Sequence, residues 1–290
     1  MSDGNARRAA VIGNPIGHSK SPALHAAAYA ALGVDITYGS IVADPEDAPE
    51  LAERLRREES WVGLSCTMPM KSALVPEMDA VSERVARLGF LNTVVVRHQD
   101  GFARLFGENT DIAGIVRALG LPAGAVRQRL CILGAGGTAA AAVAAAAQLG
   151  FESVDLVVRD AGRAESALNL AADLGLAGRA VDAATAGGEL GGYEAVVSTL
   201  PPRAADSLVD SLLASPPRAG APLLDAAYDP WPSRIGTAWD AAGGRVVDGL
   251  SMLVHQAVEQ ALLFSGRPED DRGLVTNVMC DAVGLPRRLG

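Results

Sequence analysis

Lysine is rare in this sequence, and its positions point to acid–base chemistry. Of the 25 basic residues, all but Lys20 and Lys71 are arginine. Arginine stays protonated in proteins whereas lysine can release its proton, so a site of proton transfer cannot accept the replacement. For Lys20, the chance retention of a lysine in an arginine-rich sequence is an equally good explanation. Lys71 and Asp111 are the acid–base pair that the polar loops of the first half offer. Such a pair can exchange the hydroxyl proton when a secondary alcohol is oxidised by hydride transfer.

A glycine-rich loop offers a place for the hydride carrier. It follows an apolar strand candidate, residues 130–133, and precedes an alanine-rich helix. In the pattern G-x-G-x-x-G/A the first glycine allows a tight turn, and the second lets backbone N–H groups approach a pyrophosphate. A second strand about 20 residues on favours dinucleotide binding over a merely structural turn. The loop consists of Gly134, Ala135, Gly136, Gly137, Thr138 and Ala139.

The end of that second strand indicates which dinucleotide binds. An acidic residue there would bond the ribose 2′-hydroxyl of NAD, whereas arginine would accommodate the 2′-phosphate of NADP. Arg159, Asp160 and Arg163 all lie there. Two guanidinium groups can clamp a phosphate, which favours NADP. The Asp160 carboxylate, and the alternative that both arginines are solvated surface charges, leave NAD open. Thr199, at the end of a later strand candidate, is a further cofactor-binding candidate.

Neutral polar residues collect at the loops and strand ends of the first half. Ser19, Ser21, Thr67 and Asn92 offer hydroxyl and amide groups that both donate and accept hydrogen bonds. Such a set suits a small polyhydroxylated ligand, with turn formation as the structural alternative.

The elements that must position these residues alternate between strands and helices. In the first half we expect strands at residues 9–13, 37–41, 61–66 and 93–97, with a hairpin through Gln99-Asp100-Gly101. Helical patterns run through Leu24, Ala28 and Leu32, then over residues 46–59 and 79–88. This alternation predicts a mostly parallel sheet with covering helices. In the second half we expect strands at residues 130–133, 154–158, 195–199, 223–225 and 245–247.

The sequence therefore predicts an α/β protein of two domains. An N-terminal α/β substrate domain would comprise residues 1–111, joined by C-terminal helices within residues 250–290. A doubly wound Rossmann-type dinucleotide-binding domain would comprise residues 112–249.

Composition narrows the classes of partner and location. A formal net charge of −9 argues against nucleic acid or an anionic membrane as partner. The longest apolar stretch, residues 139–147, is far shorter than a membrane span of about 20 residues, so we expect a cytoplasmic protein. The three cysteines and four scattered histidines lack metal-ligand spacing, so we expect no metal site. The sequence is compatible with a homodimer.

These motifs resemble those of the shikimate dehydrogenase family, and the resemblance covers nearly the whole chain. The family's N-V-T-x-P-x-K pattern falls on residues 65–71, A-x-N-T includes Asn92, and N-T-D-x-x-G includes Asp111. Further family elements match Ser19, Ser21, Pro22, His25, Gly114, Asp225, Tyr228, Pro230, Gly249, Met252, Leu253 and Gln256.

The resemblance implies roles for the matched residues. Lys71 would be the catalytic residue with Asp111 beside it, and Gly249 and Met252 would neighbour the cofactor. The implied substrate ligands are Ser19, Ser21, Ser65, Thr67, Asn92, Tyr228 and Gln256. The chain departs from the family pattern where Ser65 replaces asparagine, Phe90 replaces alanine, and Val158-Arg159-Asp160 replaces Asn-Arg-Thr. The shorter Ser65 changes the hydrogen-bond reach in the substrate pocket, and Asp160 weakens the expected preference for NADP.

The resemblance implies NADP-dependent, reversible reduction of 3-dehydroshikimate to shikimate in aromatic amino-acid biosynthesis. Asp160 keeps an NAD-linked quinate/shikimate dehydrogenase as the nearest alternative. A second alternative is a non-catalytic dinucleotide or metabolite sensor on the same fold. The presence of both Lys71 and Asp111 argues against it. A carbon–nitrogen dehydrogenase of the same plan is a third, and it would need no serines that bind a polyol.

Overall fold

The structure, a computed structural model, describes residues 6–99 and 102–287. The chain divides into two compact units. The first comprises Met1–Thr110 and Leu253–Gly290, and the second comprises Asp111–Met252. Asp111 is therefore the first residue of the second unit, and residues 250–252 also belong to it.

The strands of the first unit form one mixed sheet. Among the described residues its order is β2-β1-β3-β5-β6-β4. Strand β1 pairs in parallel with β2 and β3, whereas β5 is antiparallel to both β3 and β6. The bounds are β1 Arg7–Gly13, β2 Ile36–Val42, β3 Trp61–Cys66, β4 Ala80–Val81, β5 Thr93–Gln99 and β6 Phe102–Glu108.

Helices cover both faces of this sheet because apolar side chains point alternately to its two sides. Val94 and Val96 face a core with α2, whereas Val95 between them faces a core with α1, α11 and α12. Helix α11 begins in the second unit, and its residues from Leu253 onward belong to the first. The α-helices described here are α1 Ser21–Leu32, α2 Ala48–Arg57, α3 Met70–Ala73, α4 Glu83–Leu88, α11 Gly249–Ser265 and α12 Arg272–Val283.

The second unit contains a fully parallel sheet with the order β12-β11-β10-β7-β8-β9 among the described residues. The chain reverses its direction of winding beside β7, which is the plan of a doubly wound dinucleotide-binding fold. The strands are β7 Arg127–Leu133, β8 Phe151–Val158, β9 Ala177–Asp182, β10 Ala195–Ser198, β11 Pro222–Asp225 and β12 Arg245–Asp248. The helices are α5 Asp111–Leu119, α6 Gly137–Gln148, α7 Glu165–Asp173, α8 Ala183–Ala186, α9 Val209–Ala214 and α10 Arg234–Ala241.

The structure confirms the α/β fold class and corrects some elements. The expected helix over residues 79–88 is wrong at its start, because residues 80–81 form β4 and Ser82 caps α4 by accepting a hydrogen bond from the Val85 N–H. The short helix α3 and strand β9 were not predicted. The paired strands β5 and β6 agree with the expected hairpin, but Asp100 and Gly101 at its turn lie outside the described residues.

Across the part of the chain that the structure describes, none of the helices is both long and apolar enough to cross a membrane.

Candidate active site

A buried network of hydrogen bonds joins several of the predicted substrate ligands within the first unit. The Ser65 hydroxyl, at the end of β3, donates to Gln260 Oε1 on α11 over 2.7 Å. The Gln260 amide group donates to the Asn92 carbonyl over 3.0 Å and to Thr93 Oγ1 over 2.9 Å. The β3–β5 register, which places Ser65 opposite Thr93, makes this bridging possible. Gln260 therefore links Ser65 to Asn92.

The side chain of Asn92 is held in one orientation by its neighbours. Its Oδ1 accepts hydrogen bonds from the Thr93 hydroxyl at 2.8 Å and from the Thr110 N–H at 2.7 Å. Its Nδ2 donates to Thr110 Oγ1 at 2.9 Å and to Gln256 Oε1 at 3.2 Å. Asn92, Thr110 and Gln256 are all buried. Because buried polar groups are costly to leave unpaired, this arrangement fixes which amide atom faces which partner.

Aromatic residues extend the network on the side of Ser65. The Tyr38 hydroxyl donates to Ser65 Oγ over 2.6 Å, and the His25 ring stacks on the Tyr38 ring with centroids 3.9 Å apart. Burial raises the pKa of Tyr38, and hydrogen bonds with Ser65 and Ser21 act in the opposite direction. Burial lowers the pKa of His25 to about 3, although the neighbouring Gln260 amide acts against it. His25 is therefore neutral at pH 7, and Ser21 joins the network through Tyr38.

Lys71 lies on α3, immediately after the loop that follows β3. Its backbone carbonyl accepts a hydrogen bond from the Leu91 N–H at 2.9 Å, and Leu91 directly precedes Asn92. Burial raises the pKa of the Cys66 thiol, and the positive charge of Lys71 acts in the opposite direction. The lysine thus lies close to the end of β3 and is tied by its backbone to the segment that carries Asn92.

The other predicted ligands of the first unit sit on loops. Ser19 Oγ accepts a hydrogen bond from the Ser21 N–H at 3.3 Å at the start of α1. The Thr67 N–H donates to the Ile12 carbonyl at 2.9 Å, which holds the β3 loop against the end of β1. Gly13 permits this approach, since a Cβ there would meet Thr67 Cγ2 at 2.4 Å.

Asp111 and Tyr228 belong to the second unit. Asp111 is the first residue of α5, is buried, and directly follows Thr110 in the chain. Burial raises the pKa of Tyr228, and the negative charge of Asp229 acts in the same direction.

The glycine loop after β7 fits a dinucleotide pyrophosphate. Gly134 adopts φ +110, and a Cβ there would lie 2.6 Å from Thr199 Oγ1, so only glycine fits without strain. Around Gly136, by contrast, a Cβ would meet nothing within 4 Å. Gly136 caps the twelve-residue α6 without a side-chain hydrogen bond, and the positive end of the helix dipole at this N-terminus favours an anion. The residues present therefore suit the cofactor that the sequence predicts.

Asp160 has a local structural role at the predicted ribose site. Its Oδ1 accepts a hydrogen bond from the Gly162 N–H at 3.0 Å, which caps the short helical turn Ala161–Ala164. Arg159, Asp160 and Arg163 are all exposed. One carboxylate oxygen is thus engaged within the protein, and both guanidinium groups reach solvent.

The remaining cofactor candidates lie at strand ends of the second unit. The Thr199 hydroxyl donates to the Leu133 carbonyl at 2.8 Å, directly before the glycine loop. Gly249 begins α11, where a Cβ would meet the Ala226 carbonyl oxygen at 2.6 Å, and Met252 is buried one turn later. Within residues 6–99 and 102–287 no group of three His, Cys, Asp or Glu side chains could hold a metal ion.

Four residues of the network were not predicted as site residues: Tyr38, Thr93, Thr110 and Gln260. Thr93 and Thr110 directly follow Asn92 and Asn109 in matched family motifs, whereas Tyr38 and Gln260 lie in none of them. Tyr38 occupies the middle of a strand, where an aromatic residue is typical of packing alone. Gln260 had a usable signal: it lies four residues after Gln256 on the same helix and therefore on the same helical face.

Comparisons with known proteins identify relatives of this chain. A family described as the shikimate dehydrogenase substrate binding domain matches residues 11–94. The shikimate dehydrogenase (NADP(+)) of Paramagnetospirillum magneticum is 36% identical over 88% of this chain and 91% of its own length.

Similar solved structures cover nearly the whole chain. Shikimate dehydrogenase of Mycobacterium tuberculosis is similar with a TM-score of 0.83 and 37% identity, covering 96% of this chain and 99% of its own. Shikimate 5-dehydrogenase of Thermus thermophilus, in complex with NADP(H) and shikimate, has a TM-score of 0.73 and 31% identity over 95% and 99%. Quinate dehydrogenase of Corynebacterium glutamicum, in complex with NAD, has a TM-score of 0.80 and 27% identity over 95% and 99%.

Proposed function

The chain belongs to the shikimate dehydrogenase family, and we propose that it catalyses the reversible, NADP-dependent reduction of 3-dehydroshikimate to shikimate. The observation that carries the proposal is the buried cluster of Ser65, Asn92 and Gln256. Lys71 is tied to it, because its backbone carbonyl accepts a hydrogen bond from Leu91, the residue before Asn92. Hydroxyl and carboxamide groups in fixed orientations suit a cyclic substrate with several hydroxyl groups.

In the proposed reaction the protein handles the proton. Bound NADPH supplies the hydride that reduces the carbonyl at C3 of the substrate. Lys71 donates a proton from Nζ to the oxygen that becomes the hydroxyl group, and in the reverse direction it takes that proton back. Asp111 orients the lysine. The remaining ligands, Ser19, Ser21, Thr67, Tyr228 and the buried cluster, bind and orient the ring.

The glycine loop and the two arginines would hold the cofactor. The pyrophosphate would lie at the start of α6 and the 2′-phosphate between Arg159 and Arg163. Asp160 would act as the cap of its turn, with no direct part in binding.

Removing both arginines tests this assignment. We expect the Arg159→Ser/Arg163→Ser variant to bind NADP at least about tenfold more weakly, because each charge-assisted hydrogen bond contributes about 1.5 kcal/mol or more. NAD lacks the phosphate, and its affinity should change less than about twofold. Titration calorimetry of each cofactor measures both values, with Arg218→Ser as the control on an exposed arginine of the same unit.

The Asp160→Asn variant completes that experiment. Asparagine keeps the capping oxygen and removes the charge, so we expect both cofactor affinities to stay within about threefold. A selective loss of NAD binding would instead assign Asp160 to the ribose and favour the NAD-linked quinate/shikimate dehydrogenase.

The proposal as a whole is tested by steady-state kinetics of the full chain. Shikimate and quinate are each oxidised with NADP or NAD while the reduced nicotinamide is followed by absorbance. We expect kcat/KM to be highest for shikimate with NADP. A preference of tenfold or more for NAD would replace the cofactor assignment, and no turnover of any pair would favour a non-catalytic sensor. A cytoplasmic location and a homodimer remain predictions.

A further inference from the structure

Gln260 occupies a central position in the polar network of the first unit, although no motif of the sequence includes it. Its side chain is 1% exposed and lies on α11, one helical turn beyond Gln256. It contacts Ser65 on β3 and both Asn92 and Thr93 on β5. A polar side chain at such depth is costly unless its hydrogen-bonding capacity is used.

Both ends of the Gln260 carboxamide are engaged, and the partners fix its orientation. The Asn92 carbonyl can only accept, so it requires the NH2 end of Gln260. The opposite end, Oε1, therefore accepts from the Ser65 hydroxyl. Ser65 Oγ in turn accepts from the Tyr38 hydroxyl. The donor direction thus runs from Tyr38 through Ser65 to Gln260.

The same carboxamide also determines how Asn92 is presented. Gln260 Nε2 donates to Thr93 Oγ1, so the Thr93 hydroxyl hydrogen is directed to Asn92 Oδ1. With Oδ1 occupied by Thr93 and Thr110, Asn92 Nδ2 faces Gln256. One side chain outside the predicted ligand set therefore fixes two residues inside it, Ser65 and Asn92.

We propose that Gln260 is a positioning residue for substrate recognition. The carboxamide of Gln260, carried by α11, takes the place of the asparagine carboxamide that the family pattern has at residue 65. It holds Ser65 and Asn92 in the orientations that bind the hydroxyl groups of the ring. The inference rests on the proposed function, since it assumes a polyhydroxylated substrate at this cluster.

Direct binding of shikimate to the full chain without cofactor tests the inference. We expect Gln260→Leu, which keeps much of the volume and removes every hydrogen bond, to weaken binding at least about tenfold in titration calorimetry. NADP affinity should stay within about twofold, which shows that the second unit of the variant is folded. Gln148→Leu, an exposed glutamine of α6, serves as the matched control and should leave shikimate affinity within about twofold.

Exchanging the carboxamide of residue 260 for one at residue 65 supplies a second, independent test. Gln260→Ala should weaken shikimate binding as Gln260→Leu does, and Ser65→Asn/Gln260→Ala should restore it to within about threefold of the wild type. This double variant decides the matter if Gln260→Leu does not fold, because the asparagine returns a carboxamide, and part of the volume that alanine removes, to the contacting site. In turnover, the single variants should raise the KM for shikimate far more than they lower kcat.

The outcomes separate the inference from the proposed function. If the wild type binds no shikimate, the proposed function fails. If the wild type binds shikimate and Gln260→Leu binds it equally well, the positioning role is overturned while the function stands. A double variant that folds but binds no better than Gln260→Ala would likewise overturn the replacement of the residue-65 carboxamide.

Discussion

The Lys71→Ala variant is expected to lower kcat at least about 100-fold, the scale of lost acid–base catalysis. Alanine cannot supply the proton that the new hydroxyl group needs. The cofactor site would be built from other residues, so NADP affinity should be unchanged. Stopped-flow kinetics with saturating substrate, together with calorimetry for NADP, measure both quantities.

Two further variants define what the lysine contributes. Lys71→Arg keeps the positive charge but holds its proton, so we expect a kcat nearly as low as that of Lys71→Ala. Lys20→Ala removes the chain's other lysine, which is exposed, and should keep kcat within about threefold. Near-normal turnover by Lys71→Arg would reduce the role of Lys71 to electrostatic attraction, and near-normal turnover by Lys71→Ala would remove it from catalysis.

The second large effect concerns the stability of the second unit. Asp155 on β8 is 3% exposed, and its Oδ2 accepts hydrogen bonds from Arg129, from Arg179 at 2.9 Å and from the Tyr193 hydroxyl at 2.7 Å. Breaking a buried charge network by removing one member typically costs 3–5 kcal/mol. We expect Asp155→Ala to lose about 3 kcal/mol of unfolding free energy. This value is at the lower end of that range because Arg129 and Arg179 are both partly solvated. The urea midpoint at pH 7 measures this loss, and Asp173→Ala, on an exposed carboxylate of α7, is the control.

The pH dependence of that loss has a definite sign. Burial alone would raise the pKa of Asp155, but hydrogen bonds from Arg179, Tyr193 and Arg129 outweigh it and lower the pKa. A carboxyl group with a lowered folded pKa stabilises the fold above its unfolded pKa, about 3.9, and loses that contribution as the pH falls through the folded value. The difference between wild type and Asp155→Ala should therefore be constant from about pH 8 to pH 5 and shrink below about pH 4. A difference that grows on acidification would contradict the assigned network.

Elements with a clear apolar pattern could be predicted from the sequence, and those set by tertiary pairing could not. Strand β3 matches its expected range because residues 61–66 form a mainly apolar run, with Ser65 as the exception, and follow closely on a charged helix. Strand β9 has the sequence AGRAVD, which carries no such run, and its conformation is set by parallel pairing with β8. Helix α3, four residues long, is too short to show a helical period, yet it carries Lys71.

The family and the fold class predicted from the motifs are confirmed by the comparisons. The individual roles of the site residues stay predictions, and the structure adds their partners. The resemblance to the family brought forward Gln256 but not Gln260. The four-residue spacing places Gln260 on the same helical face as Gln256, but its partners cannot be named until the sheet that this face contacts is known. The Asp155 network was missed for the same reason, since its members are spread over residues 129–193.

The most direct test of the central claim is transfer of isotope from cofactor to product. The purified full chain is incubated with 3-dehydroshikimate and NADPH carrying deuterium at both C4 positions of the nicotinamide, and the shikimate formed is analysed by mass spectrometry. We predict shikimate one mass unit heavier, with the deuterium at C3, and at least about 100-fold slower formation by Lys71→Ala. Absence of labelled shikimate from a folded, NADPH-binding protein would contradict the assignment.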